Sequence, residues 1–239
     1  MIKYKKEVHR LKKYFIFSDI HGTLKPLVEK LDKLGFDMAD NNHILVSLGD
    51  NFDRGVENLY VLGYLRHFHK LGRLIMIRGN HDTYLEDFLL GKNDGIFNIK
   101  HNGLGNTLIE FADKDALSID KIRNSIIKKY PFLVQMLHKM IDIFEIGKYR
   151  LIHAGYVLND MSTWVISDFA NAYDMIAKMP KDDYIYIFGH THVKSLNHFL
   201  LGKDSNDIFE YKNYIGIDAN TILTKDVHVI VIQEDETLI

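Results

Sequence analysis

Short apolar runs recur along the chain at Tyr14–Phe17, Ile44–Leu48, Leu74–Ile77, Tyr149–Ile152, Tyr184–Phe188, Tyr214–Ile217 and Val227–Ile232. Their length and their β-branched or aromatic content predict buried strands. Between the first three, apolar residues fall at three- and four-residue spacing. They are Leu24, Leu27, Val28, Leu31 and Leu34, then Leu59, Leu62, Leu65, Phe68 and Leu71, with Gly72 as a stop. A strand-helix-strand-helix-strand order predicts parallel strands joined by right-handed crossovers.

The middle has a different period. From about Thr83 to Glu145 the pattern is mostly helical, with Ile119, Ile122, Ile126 and Ile127 before Pro131 and Leu133, Met136, Leu137, Met140 and Ile141 after it. A Gly/Asn-rich piece from Gly91 to Asn106 interrupts it. Residues 83–146 therefore read as a helical insertion or cap within a single domain spanning 1–239. The last third returns to strands separated by loops, with a short helical patch near Phe169–Met179.

Composition narrows the chemistry. A chain of 239 residues, 46% hydrophobic, can bury a sizeable core. A net charge of −2 offers no broad basic field for nucleic acid or an anionic membrane. With no cysteine, any metal must be held by His, Asp, Asn or Glu, and the chain suits a reducing cytoplasm, its expected location. The basic lead-in (Lys3, Lys5, Lys6, Arg10, Lys12, Lys13) precedes an apolar run too short for a signal-peptide core. No run reaches the roughly 18–20 apolar residues that span a bilayer.

Five polar motifs hang on the ends of the apolar runs: Ser18-Asp19-Ile20-His21-Gly22, Leu48-Gly49-Asp50-Asn51-Phe52-Asp53-Arg54-Gly55, Arg78-Gly79-Asn80-His81-Asp82, His153-Ala154-Gly155 and Gly189-His190-Thr191-His192. In α/β sheets ligands bind just beyond the carboxyl ends of the strands. Asp19, His21, Asp50, Asn80, His81, His153, His190 and His192 are thus expected to converge on one rim, although they span more than 170 residues of sequence.

This ordered set resembles the calcineurin-like metallophosphoesterase superfamily. Gly49-Asp50-x-x-Asp53-Arg54-Gly55 followed by Arg78-Gly79-Asn80-His81 resembles its phosphoprotein phosphatase branch, which holds serine/threonine phosphatases and symmetric diadenosine tetraphosphate hydrolases. The similarity runs from Tyr14 to about Asp218. It implies an α/β fold, a β-sandwich flanked by helices (α-β-β-α). It also implies two transition-metal ions, manganese first, with iron or zinc as alternatives. Asp19 and His21 would bind one ion, Asp50 would bridge, and Asn80, His153 and His190 would bind the other. A hydroxide shared by the ions would attack phosphorus in line. Arg54, Arg78 and Asn80 would hold the substrate, while His81 would protonate the leaving group with Asp53 orienting it.

Two departures mark this chain. Gly189-His190-Thr191-His192 stands where many bacterial phosphatases have Gly-His-Thr-Pro, and the extra His192 is assigned to the first metal. Trp164-Val165-Ile166-Ser167 lacks the arginine that many relatives carry there. Asp82 and Asp218 are assigned structural roles, and Asn220 is expected to take the turn position where relatives have glycine. The leading expectation is a phosphatase acting on phosphoserine or phosphothreonine in proteins. The alternative is a dinucleotide polyphosphate hydrolase. A nuclease is disfavoured by the neutral charge, and an inactive binding domain by the complete ligand set. Expected partners are a phosphorylated protein or a small phosphate ester, with neither nucleic acid nor membrane. Oligomeric state stays open.

Overall fold

Alternate residues of the first strands face two different cores, which fixes the layering. The computed structural model describes residues 11–154 and 182–233. Its strands are β1 (Lys13–Phe17), β2 (His43–Ser47), β3 (Leu74–Met76), β4 (Ile143–Ile146), β5 (Tyr149–Ile152), β6 (Ile185–His192), β7 (Phe209–Tyr211), β8 (Tyr214–Asp218) and β9 (Val229–Gln233). They form two sheets, ordered β3-β2-β1-β9 and β4-β5-β6-β8-β7. Tyr14, Ile16, Ile44 and Val46 pack against Leu151, Ile187 and Ile217 of the second sheet. Their neighbours Phe15, Phe17 and Leu45 face helices on the other side. Across the second sheet, Tyr186, Phe188 and Tyr214 meet Val193 and Leu196 of a further helix. The layers run helix, sheet, sheet, helix, the expected sandwich.

β1, β2 and β3 are parallel, as the strand-helix alternation predicts. β9 closes the first sheet antiparallel to β1. In the second sheet β5, β6 and β8 are parallel, and the hairpin strands β4 and β7 form its antiparallel edges. These two short edges were not anticipated.

The helices are α1 (Lys25–Lys33), α2 (Asn58–Lys70), α3 (Asn80–Leu89), α4 (Ile96–His101), α5 (Leu104–Phe111), α6 (Ile119–Lys129), α7 (Pro131–His138), α8 (Val193–Leu201) and α9 (Thr221–Thr224). α2 buries Asn58, Val61, Leu62, Leu65 and Phe68, leaving Leu59 and Leu71 exposed. A strict three-residue spacing drifts around a helix of 3.6 residues per turn, so the true face is rotated from the one expected. That rotation carries Asn58 into the interior.

The middle stretch packs onto the first sheet's helical layer. Leu85, Phe88, Leu104, Phe111, Leu133 and Met136 share one cluster with Phe15, Leu27 and Leu65. The Gly/Asn-rich piece is not plain loop; it carries α4 and the start of α5. Asn93 and Asp94 side chains accept the N–H groups of Gly95 and Ile96 at 3.0 Å each, which starts α4. The stretch ends in β4, at one edge of the second sheet. The helical patch expected near Phe169–Met179 lies outside the described residues. Among those residues no helix is long and apolar enough to cross a membrane.

Arg73 is a buried cation that ties the first sheet to the α1–β2 loop. Its guanidinium donates to the carbonyls of His43 (2.9 Å), Met38 (2.6 Å) and Asp37 (3.0 Å), between the rings of Phe36 and Phe68. Arg73→Met keeps the volume but leaves these carbonyls without partners, a cost of about 3 kcal/mol. Urea unfolding should show that loss; a loss under about 1 kcal/mol would contradict the role.

Candidate metal centre

The loops that follow the strands turn in an unusual way. Asp19, His21, Asp50, Asp53, Arg54 and His190 all have φ between 42° and 74°. Among the described residues they are six of nine non-glycine positions in the left-handed region. Such a conformation costs an L-residue roughly 1–2 kcal/mol and clusters where function demands it. The loops after β2 and β3 also interlock. Gly49 has φ 104°, and a Cβ there would lie 2.6 Å from the Gly79 nitrogen. A Cβ on Gly79 would overlap Asp50 Oδ1.

The backbone thus brings ligand atoms together from five strand ends. His21 Nδ1 donates to the Phe52 carbonyl at 3.0 Å, and His153 Nδ1 to the Leu48 carbonyl at 2.7 Å. Each ring therefore presents Nε2 inward. Asp50 points one oxygen at each: Oδ2 lies 3.8 Å from His21 Nε2, and Oδ1 lies 3.6 Å from His153 Nε2. Asp19 Oδ1 is 4.0 Å from His21 Nε2, and Asp19 Oδ2 accepts the His190 N–H at 2.9 Å. Asn80 Oδ1 is 3.1 Å from His153 Nε2. That matches the ~3 Å between adjacent ligands of an ion bound at about 2.1 Å. Two groups of donors result, His21 with Asp50 and His81, and Asp50 with His153 and His190.

The electrostatics fit cations at this place. Burial pushes the Asp50 carboxyl up to about 8, with Asp19 and Asp82 adding to the push. Asp218 and Asp82 are also raised, chiefly by burial. Burial lowers His21 well below the ordinary imidazole range, aided by His81, and takes His190 to about 3, aided by His153. Carboxylates that resist ionising beside imidazoles that resist protonation form a site short of positive charge. Oxygen and imidazole donors suit divalent transition ions.

A second constellation adjoins it. His81 Nδ1 bonds Asp53 Oδ2 at 2.8 Å, and Arg54 Nη2 lies 3.0 Å from His81 Nε2. Burial works against protonation of His81, but the Asp50 charge and the Asp53 hydrogen bond hold its pKa above the usual value. Both of its ring nitrogens are engaged, one by a carboxylate. That separates it from His21 and His153, whose Nδ1 atoms bond carbonyls.

Asp53 is itself gripped by α5, which sequence reasoning missed. Thr107 Oγ1 donates to Asp53 Oδ1 at 2.6 Å and accepts the Asp53 N–H at 2.9 Å. Asn106 donates to the Arg54 carbonyl, and the Gly103 carbonyl accepts the Arg54 N–H. Glu110 accepts from the N–H groups of Asn58 and Leu59, capping α2. No sequence motif marks these residues, because only the fold brings α5 to the loop.

Two expected site residues stand apart. Arg78 binds Glu86 and donates to the Leu137 carbonyl at 2.9 Å, so its guanidinium is committed to α3 and α7. His192, at the irregular end of β6, sits beside Asp218, with Nε2 3.8 Å from Oδ2. It is absent from both donor groups. Asp82 accepts the N–H groups of Asp50 (2.8 Å) and Gly79 (3.0 Å), and Asp218 accepts that of Asn220 (2.8 Å). Asn220 has φ 55°, as its turn requires. Gly155 and the Trp164–Ser167 stretch lie outside the described residues.

The sequence pattern that defines the calcineurin-like phosphoesterases matches residues 12–218. The chain belongs to that family. It is 27% identical over 203 residues to the asymmetrical bis(5'-nucleosyl)-tetraphosphatase of Anoxybacillus flavithermus, covering 76% of this chain and 79% of the relative. It is 34% identical over 154 residues to serine/threonine-protein phosphatase 2 of Escherichia coli, covering 62% and 61%. The chain spans 59% of the length of the asymmetrical tetraphosphatases of Bacillus velezensis and Halalkalibacterium halodurans. A metallophosphoesterase from Sphaerobacter thermophilus shares the fold at TM-score 0.54, with 17% identity, covering 92% of this chain and 83% of the other. A cold-active protein-tyrosine phosphatase from Shewanella does so at TM-score 0.56, with 14% identity, covering 92% and 75%. Members of this family are metal-dependent hydrolases, and the clustered His and Asp donors of this chain fit that chemistry.

The phosphoesterase centre makes two predictions. Asp50→Asn weakens both ion sites at once, so elemental analysis should find most of the metal gone. The metal-free variant should also melt no lower than metal-free wild type at pH 7, because Asp50, raised to about 8 by burial, must take up a proton on folding at that pH and the amide need not. Near-normal metal content would contradict the bridging role. Thr107→Val should slow hydrolysis of alkyl phosphates by roughly tenfold, below the 10²–10⁴ supplied by a general acid itself. Aryl phosphates, with good leaving groups, should be spared and Thr107→Ser should recover the rate. Equal losses on both ester types would remove Thr107 from the proton pathway.

Proposed function

We propose that this chain cleaves dinucleoside polyphosphates at a centre of two manganese ions. The carrying observation is Asp50, whose two oxygens face separate histidine groups within 3.8 Å. Two cations held there supply an activated water and neutralise phosphate oxygens. Asp19, His21 and Asp50 serve one ion, and Asp50, Asn80, His153 and His190 the other, with His192 approaching the first from the rim. Arg54, exposed above the centre, holds oxygens of the attacked phosphate. His81 Nε2, the acceptor of Arg54 in this structure, takes up a proton once Arg54 turns to the phosphate and passes it to the leaving oxygen, while Asp53 fixes the ring through Nδ1. The longer alignment, to a tetraphosphatase, favours the polyphosphate substrate. This reverses the order of the two substrate readings drawn from sequence.

One observation supports phosphoserine or phosphothreonine proteins as the second reading. An alkoxide is a poor leaving group and needs an acid, and the chain holds His81 with a buried Asp53–Thr107 support. Manganese-loaded protein should be compared on diadenosine tetraphosphate and on phosphoserine and phosphothreonine peptides. The proposal expects kcat/KM to favour the tetraphosphate at least tenfold; a preference for the peptides overturns it in favour of the second reading.

A further inference from the structure

A cleft of about 540 Å³ adjoins the metal centre and shares Arg54 with it. This is within the usual size of small-molecule sites. The start of α1, the Arg54–Glu57 turn and the end of α9 form its walls. Lys25, Lys225 and Arg54 give it three cations, and Pro26, Val56 and Ile222 give it an apolar side. Two carboxylates also line it: Glu57 is turned to the backbone, and Glu29 forms an exposed pair with Lys25 that a phosphate chain would have to displace. Glu57 accepts the N–H groups of Leu24 (2.7 Å) and Lys25 (3.3 Å), and Glu29 lies 3.8 Å from Lys25 Nζ.

Lys225 is the distinctive residue. Among the described residues its ammonium has neither hydrogen bond nor ion pair. Its φ is 56°, at the C-terminal cap of α9, where glycine or asparagine is the unstrained choice. The chain holds a lysine in a glycine conformation at the edge of a cleft. Val56, at the same cleft, is 78% exposed. Cations beside an unpartnered apolar side chain match a phosphate chain that ends in a nucleoside.

We infer that this cleft binds the leaving half of the substrate, its outlying phosphates on Lys25, Lys225 and Arg54 and its nucleoside along Pro26, Val56 and Ile222. The inference rests on the dinucleoside polyphosphate reading. Arg54 lies at the junction, so one substrate can span both sites. The phosphate under attack then sits at the metal centre and its neighbours lie in the cleft.

The test uses β,γ-methylene-ATP as an inhibitor of p-nitrophenyl phosphate hydrolysis by the full chain, with manganese in excess. Its Ki is read against the Ki of orthophosphate, which needs only the centre. In Lys25→Ala/Lys225→Gly that ratio should rise about tenfold; the glycine also suits the φ at 225, which protects folding. A ratio within twofold of wild type overturns the subsite. Diadenosine tetraphosphate turnover is measured in parallel. Wild type that cleaves it, with a lysine-independent ratio, discards the subsite alone. Wild type that does not cleave it, with a lysine-dependent ratio, retains a nucleoside polyphosphate site and discards the tetraphosphatase reading.

Discussion

Everything in this molecule is arranged around carboxylates that have been taken out of water. Asp19, Asp50, Asp82 and Asp218 are each at most 3% exposed, and they crowd the ends of β1, β2 and β8 and the start of α3. An ionised carboxylate is costly to bury without partners. The chain offsets part of that cost with backbone donors. Asp19 accepts the His190 N–H, Asp50 that of His81, and Asp82 those of Asp50 and Gly79. Left-handed residues are what let tight loops turn those N–H groups inward. The remaining deficit of positive charge is what metal ions would fill.

The sandwich makes this arrangement tolerable. Ile16, Val46, Ile187 and Ile217 bury an apolar layer between the sheets, well sealed and free of chemistry. Strain and charge are concentrated at one set of strand ends, and stability is drawn from the layers beneath. Arg73, at the opposite end of the β2–β3 connection, is a buried polar element away from these donors, its guanidinium bonded to the carbonyls of His43, Met38 and Asp37.

The motifs were legible in sequence because each ligand follows a strand and the strands are strongly patterned. Asp19, His21, Asp50, Asn80, His153 and His190 do converge. Other features have no local signature. β4 and β7 are edge strands of four and three residues, too short to show alternation. The phase of α2 depended on where Asn58 was drawn by Gly55 and Glu110. Arg78 is next to the site in sequence, yet Glu86, two turns along α3, captures its guanidinium. Thr107 looks like any helical threonine until the fold presents it to Asp53.

That last contact joins two parts of the chain that meet different physical demands. Donors that would share an ion must keep spacings near those seen for Asn80 and His153, 3.1 Å apart. α5 belongs to a stretch under no such geometric demand, yet Thr107, Asn106 and Glu110 hold the loop that carries Asp53, the carboxylate bonded to His81. A change in the helical stretch can therefore shift the His81–Asp53 pair while the His21, Asp50 and His153 donors stay in place. α5 acts as an adjusting screw on that pair.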